Sequence, residues 1–270
     1  MEKAFKKILL AFDNSDSSKA ALQSAYGVSL KFNSEITALV VTGGKDNYFA
    51  DSVDYLKQFN KDNNLKIDIV DRSGLVHDEI IKLEKEGDFS LILQGSHGGG
   101  GWKEKWMGSN AFKVVSSSNC PVISVTEKAS SQELKHILLP LADSRNTRQK
   151  VPYCIEIAKA FGSTVHILGI SKNDSAETKK HIRAYVNQTE KYLLERGIPC
   201  TTAEKYDVKV VETCIQYAED QNAGLMLMMT ETESAGWLMD SYSQQLVNLS
   251  TVPVMTIHSR DTRVSGVAGY

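Results

Sequence analysis

The chain has 270 residues, a formal net charge of −2, and 24% charged against 41% hydrophobic residues. That length buries a sizeable core and has room for two domains of about 135 residues. The near-neutral charge gives no electrostatic footprint for nucleic acid or an anionic membrane, and no apolar run approaches the ~18 residues that span a bilayer.

Lys3, Lys6 and Lys7 precede the apolar run Ile8 to Phe12, which has the outline of a secretion signal. The run is too short for one, and Asp13 and Asn14 end it without a small-residue cleavage site. Cys120, Cys154, Cys200 and Cys214 are widely spaced, so each reads as a small buried hydrophobe, not a ligand or disulfide partner. Together these features predict a cytoplasmic protein.

In chain order, residues 7–12 read as a buried strand and residues 16–31 as a helix, with Ala21, Ala25 and Val28 on its inner face. Ser15 or Asp16 is placed to cap that helix. Ile36 to Val41 reads as a second strand, Val53, Leu56 and Asn60 mark a helix, and Leu65 to Val70 alternates as a third strand. Asp78 to Glu86 is helical and Phe89 to Leu93 is a buried strand. A glycine-dense stretch, Gly95 to Ser109, follows it and leads into a helix over Asn110 to Ser118 and a strand over Pro121 to Val125.

The order then starts again. The run Lys7 to Asp13 is echoed by His136 to Ala142, Leu91 to Gln94 by Leu225 to Met228, and Cys120 to Val125 by Val252 to Ile257. Three matched runs in the same order predict an internal duplication. The predicted domains are 1–128 and 135–270, joined by a polar linker at 129–134. The second half's clearest helix carries Ile182, Tyr185, Val186, Thr189, Tyr192 and Leu193 on one face and is ended by Gly197 and Pro199. Strands alternating with helices predict an α/β fold of two tandem Rossmann-like domains, each a five-stranded parallel-type sheet flanked by helices. Ligands of such sheets bind beyond the carboxyl ends of the strands, at the switch point.

The glycine stretch stands at one of those ends. Glycine-rich backbone between a strand and a helix can bring several N–H groups onto one anion. Walker spacing fails, because Gly101 follows Gly100 where that loop needs lysine. The dinucleotide fingerprint fits poorly, because the stretch follows the fourth strand of its half instead of the first. What fits is Gly-x2-Gly-x9-Gly-Ser at Gly95, Gly98, Gly108 and Ser109.

On this motif, together with Asp13 after the first strand and Val41 ending the second, the chain resembles a tandem universal stress protein over nearly its whole length. The resemblance implies the adenine nucleotide alpha hydrolase-like form of the Rossmann arrangement. It also implies that the motif holds the triphosphate and ribose of ATP, and that Asp13 and Val41 contact the adenosine moiety. Mg would accompany the triphosphate, held more by phosphate oxygens than by protein ligands. Gly99 stands where family members often carry arginine, which leaves Lys103 or Lys105 to supply a cation.

In the second half the aligned segment runs from Met229 to Ser241, and no glycine occupies the first, second or third motif position. Glu231, Glu233 and Asp240 put carboxylates where phosphates would sit, so this half is predicted not to bind ATP. His97 has no partnered nucleophile in sequence and reads as a solvated loop residue, while Trp102 and Trp106 read as a lid or contact surface. Met226, Met228 and Met229 read as core, and the histidine spacing suits no zinc site. No catalytic residue is therefore assigned.

The resemblance implies a regulatory, stress-response role, with slow ATP hydrolysis permitted by it. Two alternatives stand beside this reading: a scaffold or small-ligand carrier independent of ATP, and a weak ATPase or adenylyl-transfer enzyme. The final strands of the two halves are expected to pair within the chain as an intramolecular pseudo-dimer, with homo-oligomerisation left open.

Overall fold

The structure is a computed structural model that describes residues 4–42, 46–96, 109–127, 134–230 and 241–258. The first half runs β1 (Lys7–Ala11), α1 (Asp16–Phe32), β2 (Glu35–Val41), α2 (Asp46–Asn63), β3 (Ile67–Arg72), α3 (Val76–Glu86), β4 (Leu91–Gly95), α4 (Ser109–Ser117) and β5 (Val122–Val125). The second runs β6 (His136–Leu141), a 3₁₀ turn (Arg145–Arg148), α5 (Val151–Phe161), β7 (Thr164–Ile170), α6 (Ala176–Leu194), β8 (Cys200–Lys205), α7 (Val210–Asp220), β9 (Leu225–Thr230), α8 (Ser241–Leu249) and β10 (Val254–His258).

All ten strands belong to one sheet, in the order β3-β2-β1-β4-β5-β10-β9-β6-β7-β8. Within each half the neighbours are parallel. Among the described residues only the central pair, β5 and β10, is antiparallel, with Met255 opposite Ile123. The expected pairing of the last strands is therefore present, and it fuses two five-stranded units into a continuous sheet.

The duplication extends to single hydrogen bonds. The strand pair Lys7–Glu35 recurs as His136–Thr164, which makes Asn33 the counterpart of Gly162. Both close their helices in the left-handed region, at φ 54° and 67°. Glycine and asparagine tolerate that conformation best. Likewise Asp13 N–H donates to Ser18 Oγ at 3.4 Å, and Ala142 N–H to Thr147 Oγ1 at 3.0 Å.

The sheet is covered on both faces, which is why the central strands read as unbroken apolar runs. On one face α1, α2, α5 and α6 pack over both halves in a single core; Ala25, Leu56, Ile155 and Ile182 meet strand residues such as Leu10, Leu93, Ile137 and Met255. The other face carries two separate clusters. One, under α3 and α4, includes Ile80 and Val114; the other, under α7 and α8, includes Cys214 and Leu246.

Some details depart from the sequence reading. The third strand begins two residues later than expected, because Leu65 N–H turns back to the Asn60 carbonyl. Cys154 and Cys214 are buried as expected, but Cys120 and Cys200 are only partly so; all four thiols are free. Among the described residues no helix is long and apolar enough to cross a membrane.

Candidate functional site

The strand order reverses between β1 and β4, so the crevice of the first half opens where Ala11 and Gly95 end their strands. Asp13 stands just beyond β1. Its Oδ1 accepts from Ser15 N–H at 3.1 Å and from the Ser15 hydroxyl. Ser15 in turn caps α1, accepting from Ser18 N–H at 3.3 Å. Asn14, between them, takes a left-handed φ of 57°. The run Asn14-Ser15-Asp16-Ser17-Ser18 thus folds as one capped turn that fixes Asp13. The capping choice falls on Ser15, not Asp16.

Gly95 lies directly against that turn. A Cβ there would fall on Ser17 Oγ, 2.9 Å from the Ser18 nitrogen and 3.0 Å from the Ser17 carbonyl carbon. Two of these neighbours are backbone, so a side chain would force α1 away from the sheet. Glycine at 95 is thus demanded by packing alone, whatever binds in the crevice. Val41 ends β2 half-buried, and the β1–β2 register (Ala11 opposite Leu39) brings it level with Asp13.

Ser109 is the first residue of α4. Gly98 and Gly108 lie outside the described residues, as do the side chain of Ser109, His97, Trp102 and Trp106. Both ends of the intervening stretch are nevertheless held together by Gln94, a residue the sequence reading passed over. Gln94 is buried on β4, and its Nε2 donates to the Ala111 carbonyl of α4 at 2.9 Å and to Ser124 Oγ of β5 at 3.1 Å. An amide closing an otherwise apolar strand is the cue that was available. Asp13, Val41, Gly95 and the start of α4 therefore share one edge of one half.

The corresponding edge of the second half is built differently. Met229 occupies the strand position of Gly95. Opposite it, the chain after β6 forms a 3₁₀ turn where α1 has its first α-helical turn. Asp143 Oδ1 lies 3.1 Å from His181 Nδ1 of α6, and Arg148 spans to Gln188 at 2.6 Å while its guanidinium sits over the Tyr185 ring. Side chains thus cross-brace this edge. Lys150, the counterpart of Ala21, is only 2% exposed, with Thr147 Oγ1 3.4 Å from its Nζ. Burial pulls its pKa down to about 7 against the opposing effect of the Cys214 and Cys154 thiols. Among the described residues no group of three or more His, Cys, Asp or Glu side chains is placed to hold a metal ion.

Two doubly wound units, joined through their last strands and differing at their switch points, define a tandem α/β protein of the Rossmann-like class. The chain belongs to the universal stress protein family, whose sequence profile matches it twice, over residues 4–126 and 133–258. Universal stress protein YxiE of Bacillus subtilis is 29% identical over 146 residues, covering 45% of this chain and 99% of its own. A universal stress protein from Archaeoglobus fulgidus shares the whole two-unit fold, with a TM-score of 0.73 at 19% identity over 95% of this chain and 99% of that one. A functionally unknown protein from Pseudomonas aeruginosa, PA1789, does so with a TM-score of 0.72 at 15% identity, over 96% and 94%.

Proposed function

We propose that this chain is a cytoplasmic, stress-response regulatory protein with one adenine-nucleotide site, in its first half, that takes ATP with Mg. The observation that carries the reading is the meeting of Asp13 with Gly95, the first residue of the Gly-x2-Gly-x9-Gly-Ser motif, across the capped turn at the β1–β4 crevice. In this reading the backbone at Gly98 and Gly108 and the hydroxyl of Ser109 donate to phosphate oxygens at the start of α4. Asp13 accepts from ribose hydroxyls or the base amine, and Val41 packs against adenosine. Mg is held through the phosphates. The second half is a partner in the fold and not a second nucleotide site, because Met229 replaces the first glycine and its edge is occupied by the protein's own side chains.

Denaturing the purified protein and identifying what it releases tests the proposal. Adenine nucleotide is expected, at no more than one equivalent per chain, and Gly98→Trp is expected to abolish it while unfolding at the same temperature as wild-type protein stripped of nucleotide. Gly98 is the informative position, since a change at Gly95 disturbs α1 whether or not a ligand binds. Absence of adenine together with no saturable ATP binding, or full retention by Gly98→Trp, would overturn the reading.

A further inference from the structure

The helix that leads out of the candidate nucleotide crevice is fastened at two points, and one of them belongs to the other half. α4 is nine residues long, shorter than helices that stand alone in water. The carbonyls of a last turn lack donors within the helix, and α4 has no basic residue there. A longer helix would aim the Asn119 N–H at the Val115 carbonyl, but that group donates to Glu84 Oε1 at 2.7 Å. A donor comes instead from across the molecule: Nε2 of His258, at the end of β10, lies 2.6 Å from the Val115 oxygen. A carbonyl only accepts, so the ring carries a proton on Nε2.

One turn earlier on the same line of the helix, the Ala111 carbonyl accepts from Gln94 Nε2 of β4 at 2.9 Å. The first half thus supplies one fastening and the second half the other. Val125 pairs with Gly95 and Ile257 with Met229, so Thr126 and His258, next along each strand, are counterparts. Thr126 makes the reciprocal reach, its Oγ1 donating to the Ser250 carbonyl at 3.1 Å. That bond lands just beyond α8, on the connection to β10, whereas the longer His258 side chain reaches into α4 itself. The backbone of His258 also pairs with Thr230, the end of β9, on the carboxyl edge of the second half.

We infer that His258 is a positioning residue for the nucleotide site of the first half, supplied by the second. The role rests on the nucleotide reading above, in which the amino end of α4 faces the phosphates. Val115 is about 9 Å along the helix axis from that end. A short helix fixed near its carboxyl end presents its first N–H groups already ordered. Released from His258, it has to be ordered by the nucleotide, and affinity falls by that cost. The half without the motif glycines thereby serves the site of the half that has them.

Calorimetric titration of the full chain with ATP, in wild type and three variants, tests the role. His258→Phe keeps a ring but removes the donor, and should weaken ATP binding about tenfold, the equivalent of one hydrogen bond. His258→Gln places an amide N–H at similar reach and should restore most of the affinity. Thr126→Val removes the reciprocal bond, which holds the other half's helix, and should leave ATP affinity unchanged. In the wild-type chain, saturating ATP should move the imidazole Nε2 resonance of His258, a readout that needs no variant to fold. ATP affinity untouched by His258→Phe, equal weakening by Thr126→Val, no rescue by His258→Gln, or a His258 resonance unmoved by ATP would each overturn the inference while the nucleotide reading stands. No saturable ATP binding by the wild-type chain would overturn both.

Discussion

Lys150, the residue just before α5, and Ala21, within α1, hold equivalent places after the first strand of each half, and the exchange of a methyl for a buried ammonium is the sharpest single-residue difference between them. The folded value of about 7 lies below the ordinary lysine value of 10.5. Below pH 7 both folded and unfolded chains carry the proton, and the folded state bears the full cost of burying the charge. Between about 7 and 10.5 the unfolded chain holds the proton and the folded chain does not, so stability rises with pH across that window. Lys150→Met, which keeps the side chain's length and removes the charge, should therefore stabilise the protein most at or below neutral pH, by on the order of a few kcal/mol. The gain should shrink steadily towards pH 10. Urea unfolding at a series of pH values measures it, and a gain that is flat with pH would show that the ammonium is not what the site burdens. Nothing in the sequence around Lys150 announced this, because a lysine after a polar turn reads as surface until the helix it begins is placed on the sheet.

The elements themselves were largely legible. Alternation and apolar runs located nearly every strand of the first half, and the 3.6-residue spacing of Ala21, Ala25 and Val28 located α1, because both signals report the burial of one face. What local pattern could not give was how one element limits another. The 3₁₀ start of the second half goes with Met229 standing at the place of Gly95, a long-range pairing of strand and helix. The candidate nucleotide edge was read from motif spacing, whereas the bracing of the second half's edge by Asp143 with His181 and Arg148 with Gln188 depends on residues that only the folded chain brings together. Gln94 is the other such case, a single amide fastening α4 to β4 and β5. Gln94→Leu preserves bulk but removes the bond to the Ser124 hydroxyl and the second bond to the Ala111 carbonyl, and should cost about 1–3 kcal/mol in urea unfolding. Amide exchange should quicken in α4 more than in α3, whose own packing does not involve Gln94. Uniform quickening of both helices would mean that the loss is global and that the amide is not a local fastener.

At the level of the whole molecule, the pairing of β5 with β10 turns two open edges into the centre of one sheet. The junction is reinforced on both sides of the strands. Thr126 Oγ1 donates to the Ser250 carbonyl at 3.1 Å, Thr256 Oγ1 to the Val122 carbonyl at 3.2 Å, and the His258 ring to the Val115 carbonyl at 2.6 Å. On the shared face an aromatic seam continues the contact, with Phe5 edge-on to Phe32 at 5.1 Å and Phe32 beside Phe161 at 6.5 Å. Buried strand pairing, an apolar core common to both halves and side-chain bonds across the seam are the features of an obligate interface, not of two beads on a string. The covalent link proposed at 129–134 should then be dispensable once the chain has folded. A protease site inserted there and cut in the native protein should leave two pieces that co-elute at the mass of the intact chain and unfold in one transition. Met255→Asp, which buries a lone carboxylate opposite Ile123, should let the cut pieces separate while the uncut chain stays together. Separation of the cut wild-type pieces under native conditions would show that the linker, and not the sheet, holds the halves together.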